Sequence, residues 1–212
     1  MQVLKESVRK RIRDAALAEF AAVGAGRATM NAIAERADIG VATLYNYFES
    51  KQALLLDVIP PELAQTFERI LERRVQALSL VDADASASAE EILAFWLKHR
   101  REVVVLLDRA EGTVYEAFGH RFVDRLTRLT LTSLRARNPK LKLSAEQRLV
   151  LTLIFENTRR TLATLLERGR SELRIRESFE AFWAYQIPGL HGLAEALLAS
   201  RSSTTPRPSS SC

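Results

Sequence analysis

The sequence predicts an all-α protein, and three observations carry that prediction. Ala, Leu, Glu and Arg, the residues that lose least on entering a helix, are abundant in the 212-residue chain, against only 8 Gly and 6 Pro. Apolar residues recur at spacings of three to five along almost every segment. Strand-like alternation and internal repeats are both missing. A chain that is 47% hydrophobic and 27% charged has a globular balance, which excludes wholesale disorder. The single cysteine, Cys212, excludes an internal disulfide framework and a Cys-based zinc site. No run approaches the ~18 apolar residues of a membrane span, and the N-terminal charges have no apolar segment behind them. A cytoplasmic protein without membrane association is expected.

The elements follow in order. Ile12, Ala16, Leu17, Phe20 and Val23 form one face of a first helix, which Gly24 and Gly26 end. Thr29 reads as the N-cap of a short helix carrying Ile33, Ala34 and Ala37. A break at Asp38-Ile39-Gly40 precedes another short helix with Leu44, Tyr47 and Phe48. Ser50 caps a connector that starts at Lys51 and runs through Leu54, Leu55 and Val58 to Pro60-Pro61. Longer helices are then expected over about 62–80, 89–110 and 114–136, with residues 82–88 as a small-residue, acidic linker. Asn138-Pro139 stops the third of these. Ser144 caps a helix running to Gly169, and Ser171 one that reaches about Ala199 and should kink at Pro188.

In the helix after Ser144, apolar residues from Leu149 to Leu166 cover roughly 260° of the circumference, where a single core needs a stripe of only ~100°. This helix is expected to bury two faces. With the apolar series Ile175, Phe179, Phe182, Trp183, Leu190, Leu193 and Leu197 of the last helix, it predicts a self-complementary patch. Two copies would join through about 145–169 and 171–199 in a four-helix homodimer interface.

Residues 29–48 have the shape of a helix-turn-helix. Ile33 and Ala37 pack the first helix, the turn buries Ile39, and Leu44 anchors the second helix, leaving its N-terminal exposed positions free to enter a major groove. The net charge of +5, with Arg9, Lys10, Arg11 and Arg13 crowded near the start, suits an anionic partner. The run from Thr43 to Leu54 (Thr-Leu-Tyr-Asn-Tyr-Phe-Glu-Ser-Lys-Gln-Ala-Leu), after Ile33-Ala-Glu-Arg-Ala-Asp-Ile39 and the Ala-Leu-x-x-Phe of Ala16–Phe20, resembles the DNA-binding domain of TetR-family transcriptional regulators. The resemblance covers about residues 8–58. Beyond them the chain matches that family only in length, helical character and a dimer-like end.

The resemblance implies double-stranded DNA as a partner, and the residue chemistry agrees with it. Tyr45 and Tyr47 flank a recognition helix and can reach phosphates on either side of a groove. Thr43 can donate from the first turn, and Lys51 with Ser50 adds charge and backbone donors at the next helix start. Base reading falls to Val41, Ala42 and Asn46, supported by Thr29 and Asn31. Asn46 suits an adenine edge, and Val41 or Ala42 a thymine methyl. The sequence departs from the commoner family pattern at the recognition-helix start. Gly40-Val41 replaces a Ser-Lys pair, which bears on operator identity rather than binding mode.

The expected organisation is therefore a helix-turn-helix domain with the connector start over 1–58, a helical ligand-binding and dimerisation domain over 59–199, and a disordered tail over 200–212. In the family the larger domain binds a small effector that changes the separation of two recognition helices, which must sit about 34–36 Å apart to meet successive grooves. Candidate ligand-lining residues are Phe95, Trp96, His99, Asp108, Tyr115, Phe118, Phe122, Phe155, Asn157 and Trp183, with Arg100 a further polar group, and a mostly apolar effector is expected. No cofactor, metal or catalytic residue is expected. The sequence holds no Gly-rich phosphate loop, no Gly-x-Ser-x-Gly and no His-Glu-x-x-His, and His99, His120 and His191 lack metal spacing. The reading is a non-enzymatic regulator, a repressor on a near-palindromic operator. The alternative is a helical protein-interaction module.

Overall fold

The computed structural model describes residues 2–79 and 85–199. Among these it is all-helical, with ten helices and no strand. Helix α1 (Gln2–Val23) buries Ile12, Ala16 and Phe20, each four residues from the next and each fully inaccessible. Gly24 ends it at φ +94, a conformation that costs glycine nothing. Helices α2 (Met30–Arg36), α3 (Val41–Tyr47) and α4 (Lys51–Val58) complete the N-terminal unit. Thr29 and Ser50 act as N-caps, accepting from the amides of Ala32 and Ala53 at 3.1 and 3.0 Å. Arg36 grips the buried Glu19 carboxylate through Nε and Nη2, locking α2 to α1. Arg9 and Arg13 both pair with Asp57, tying the far end of α4 to the start of α1.

The remaining helices are α5 (Pro61–Ser79), α6 (Ala85–Lys98), α7 (Arg100–Asp108), α8 (Phe118–Arg137), α9 (Ala145–Arg168) and α10 (Glu172–Ala199). At the centre is α7, where Val103, Val104, Val105, Leu106 and Leu107 are all buried, so the helix is enclosed on every side. It packs on α1, α6, α8 and α9. Ser144 and Gln147 form a reciprocal capping box at the start of α9. A block of aromatic rings fills the space between α5, α6, α8 and α10. Phe67 lies 5.7 Å from both Phe95 and Phe118, 5.9 Å from Phe122, and edge-on to Trp96. Trp96 continues the block to Phe179 and Trp183.

Three expectations about this half are corrected. The single helix expected over 89–110 is two, because His99 leaves helical geometry at φ −113, ψ 38. Beyond the break, the Arg100 guanidinium reaches the carbonyls of Leu166, Glu167 and Gly169, closing the otherwise unpaired end of α9. The helix expected from about residue 114 starts at Phe118. Gly112 takes φ +71, and Thr113 Oγ1 bonds the Ala110 carbonyl while accepting from the Tyr115 amide, which holds 110–117 in turns. The small-residue linker is helical from Ala85 onward, since Ala and Ser there simply extend α6; residues 80–84 lie outside the described residues. The expected disordered tail, 200–212, also lies outside them.

Within one chain α9 buries one apolar face, that of Leu151, Phe155, Leu162 and Leu166. Leu149 and Leu153 of the opposite face are 57% and 58% exposed, with Val150 beside them. The polar strip between turns inward at its centre, where Arg159 reaches the Leu107 carbonyl and Asp108. On α10, Leu173 and Tyr185 are exposed, and Pro188 lies inside the helix on its exposed side.

Candidate nucleic-acid interface

The seven-residue helix α3 is held from beneath and bare on top. Leu44 is fully buried and Phe48 nearly so, so the helix is anchored by two residues one turn apart. Val41, Ala42, Thr43, Tyr45 and Asn46 are exposed. Gly40 caps the helix without a side-chain bond.

The turn between α2 and α3 fixes this presentation. Asp38, at φ +53, is left-handed; its amide bonds the Glu35 carbonyl at 3.0 Å and the Ile39 amide bonds that of Ala34 at 3.0 Å. That is a Schellman closure with aspartate in the position glycine usually takes. Asp tolerates the left-handed region better than most residues, so a glycine is not required. Ile39 then packs against the core, as the sequence pattern requires.

Thr29 and Asn31 are exposed at the start of α2, although the Thr29 hydroxyl oxygen already accepts from Ala32. The two tyrosines differ in placement. Tyr45 is 52% exposed, whereas Tyr47 is half-buried against the core. Lys51 is not simply a surface charge. Its Nζ donates to the carbonyls of Gly26 at 2.6 Å and Ala28 at 2.8 Å, and burial lowers its pKa from the ordinary lysine value. Two of its three N–H groups are thereby engaged, and one remains.

Residues 12–58 match the model of the family described as bacterial regulatory proteins, tetR family. The N-terminal unit is thus similar to the N-terminal domain of that family. The TetR-family match includes α2, α3 and α4 and most of α1. The HTH-type transcriptional repressor KstR of Rhodococcus jostii is 51% identical over 65 residues, which is 31% of this chain and 29% of that protein. KstR of Mycolicibacterium smegmatis is 50% identical over 62 residues, 29% of this chain and 28% of its own length. The chain thus matches less than a third of the length of these curated relatives. A solved TetR-family regulator from Chloroflexus aurantiacus aligns over 92% of this chain and 93% of its own, at 19% identity and a TM-score of 0.49.

The candidate ligand-lining residues do not form one set. Phe95, Trp96, Phe118 and Phe122 gather around Phe67, which is not among the candidates above although Ala64, Phe67, Ile70 and Leu71 mark a buried face of α5. Trp183 joins the edge of this block, with the Arg74 guanidinium 5.3 Å from its ring. Phe155 is buried on α9. His99 packs on Phe95 and faces Glu102. Tyr115 donates its hydroxyl hydrogen to Ile59 O. Asp108 pairs with Arg159 at the edge of a cleft of about 290 Å³ between α7, α8 and α9, and Asn157 is exposed. Trp96 Nε1 is buried without a hydrogen-bond partner among the described residues. Among those residues, no helix is long and apolar enough to cross a membrane and no group of His, Cys, Asp and Glu is placed to hold a metal.

Proposed function

We propose that this protein is a homodimeric, ligand-responsive repressor that binds a near-palindromic DNA operator and is released by a small, mostly apolar effector. The observation that carries the reading is the exposed face of α3, whose Val41, Ala42, Thr43, Tyr45 and Asn46 project from a helix anchored by Leu44 and Phe48. A helix of this size enters a major groove, and its first residues reach base edges. The name of the KstR relatives, transcriptional repressors, supports repression as the sign of the response. Residues 1–58 would be the DNA-binding domain and 59–199 the effector and dimer domain.

The exposed Leu149, Val150 and Leu153 of α9, with Leu173 and Tyr185 of α10, support the homodimer. Such residues on a two-fold axis would bury one another. The aromatic block supports the effector site. Among the described residues its Trp96 Nε1 is a donor without an acceptor, a deficit that a ligand carrying one acceptor among apolar atoms would remove.

The deciding experiment is selection of bound duplexes from a random pool by the purified full chain at near-physiological salt. Enrichment of an inverted repeat, with half-sites spaced for a two-fold dimer, is the expected result. Failure of folded protein, freed of bound small molecules, to enrich any sequence would overturn the reading in favour of a helical interaction module.

A further inference from the structure

The loop joining α1 to α2 is gripped from two sides. From the side of α4, Lys51 Nζ holds the carbonyls of Gly26 and Ala28. From the side of the larger helical unit, the chain leaving α7 lies directly on the same loop. The Ala25 amide donates to the Arg109 carbonyl at 2.8 Å, and Gly26 approaches Glu111 so closely that a Cβ would stand 2.2 Å from its carbonyl oxygen. Only a residue without a side chain permits that contact. The 109–112 segment is in turn fixed to α9: Arg109 Nη2 bonds Glu167 Oε1 at 3.0 Å, and Asp108 pairs with Arg159 at 3.1 Å. An unbroken series of bonded groups therefore runs from the first residue of α4 to the helix carrying the exposed Leu149 and Leu153.

We propose that Lys51 is a positioning residue that links phosphate occupancy at the start of α4 to the docking of the 24–28 loop on the 109–112 segment. The proposal rests on the reading of the N-terminal domain as DNA-binding. Among the described residues the Lys51 ammonium is held by two neutral carbonyls, which leaves one N–H and its full charge without a counter-ion, and a phosphate oxygen joining its shell supplies both. A DNA phosphate drawing Nζ outward lengthens its bonds to Gly26 and Ala28, and the loop loosens where Ala25 meets Arg109. Linkage makes the effect reciprocal: a ligand of the larger unit that displaces 109–112 alters how readily Lys51 meets a phosphate. Lys51 thus acts on both sides of the boundary, as a phosphate contact and as the staple of the loop that transmits the signal.

The Ala25 amide reports on this joint directly, since its hydrogen closes the bond to Arg109. Hydrogen exchange at Ala25 and across 109–113 is measured on the full chain, wild type and Lys51→Met, with and without a mixed-sequence duplex at low ionic strength. Duplex binding is followed by anisotropy in the same samples. Without duplex, Lys51→Met should exchange about tenfold faster at Ala25, as a locally opened loop does. Duplex should accelerate Ala25 in the wild type and leave the variant unchanged. Gly26→Ala, which forces the joint apart from the other side, should reproduce the variant's fast exchange and serves if Lys51→Met does not fold. Equal Ala25 exchange in wild type and folded variants without duplex overturns the staple. Duplex bound by the wild type with no change at Ala25 overturns the linkage. Failure of the wild type to bind duplex overturns the DNA-binding reading itself, and the transmitting role with it, while the duplex-free comparison still reads the staple.

Discussion

Tyr115 donates its phenolic hydrogen to the carbonyl of Ile59 across 2.6 Å, joining the turn between α7 and α8 to the end of α4. Ile59 is followed by Pro60 and Pro61, neither of which has an N–H, so the bond satisfies a fully buried residue at the point where α4 gives way to α5. Tyr115→Phe leaves that carbonyl unpaired and should destabilise the chain by about 1–3 kcal/mol, read as a lowered midpoint in urea.

The same phenol gives an alkaline signature. Burial first, and the nearby Glu62 carboxylate second, raise the Tyr115 pKa above its ordinary 10.0. The unfolded chain therefore ionises this phenol before the folded chain does. Its contribution is fully present below the ordinary tyrosine pKa and is lost as pH rises from there through the raised folded value. The wild type should lose stability faster than Tyr115→Phe in this window. Parallel decline of the two proteins in urea melts at rising pH would show that the phenol has the same pKa folded and unfolded.

Gly119 makes the opposite point about helix propensity. In an exposed helix interior, Gly→Ala stabilises by ~1 kcal/mol. On α8 at Gly119 a Cβ would lie 2.7 Å from the Leu107 carbonyl oxygen, which also accepts from Arg159. Backbone on a buried central helix cannot yield as a side-chain tip would. Gly119→Ala should therefore destabilise by about 1–3 kcal/mol, the usual cost of overpacking. A gain in thermal midpoint would mean that α7 and α8 separate more easily than their packing indicates.

What the sequence made legible was periodic or chemically marked. The four-residue spacing of Ile12, Ala16 and Phe20, and the caps at Thr29, Ser50 and Ser144, located their helices because each depends on neighbours within one turn. The break at His99 was hidden because Phe95, Trp96, Val103 and Leu106 continue an apolar pattern across it; its partner, the Arg100 contact to the end of α9, lies 66 to 69 residues away. The exposed face of α3 was readable for the same local reason, since burying Leu44 at this helical period leaves Tyr45 and Asn46 outward. The double bond of Lys51 to Gly26 and Ala28 was not, because nothing in a lysine's neighbours states which carbonyls a distant loop will offer.

On α9, Leu153 is 58% exposed in the single chain, so an acidic side chain there costs the protomer little. Across a two-fold interface the same change places like charges in an apolar contact. Leu153→Glu should leave the helical content of the protomer intact and shift the proposed dimer to monomer in sedimentation equilibrium. An unchanged mass would remove this face from the proposed interface.

Tyr45 and Asn46 are adjacent and both exposed on α3, yet they should fail in different ways. A tyrosine hydroxyl on a phosphate oxygen fixes register without reading sequence. Tyr45→Phe keeps the ring and its packing and removes one hydrogen bond, so affinity should fall by about 0.5–1.5 kcal/mol on every duplex alike. Asn46 can accept from and donate to one adenine edge at once, so Asn46→Ala should remove about 1–3 kcal/mol of discrimination at a single base pair per half-site. Titrating both variants against the enriched operator and a set of its single-base-pair changes separates the two effects. A uniform loss for Asn46→Ala, or a base-specific loss for Tyr45→Phe, would exchange the roles and rotate the docked helix about its axis by roughly the 100° between neighbouring residues.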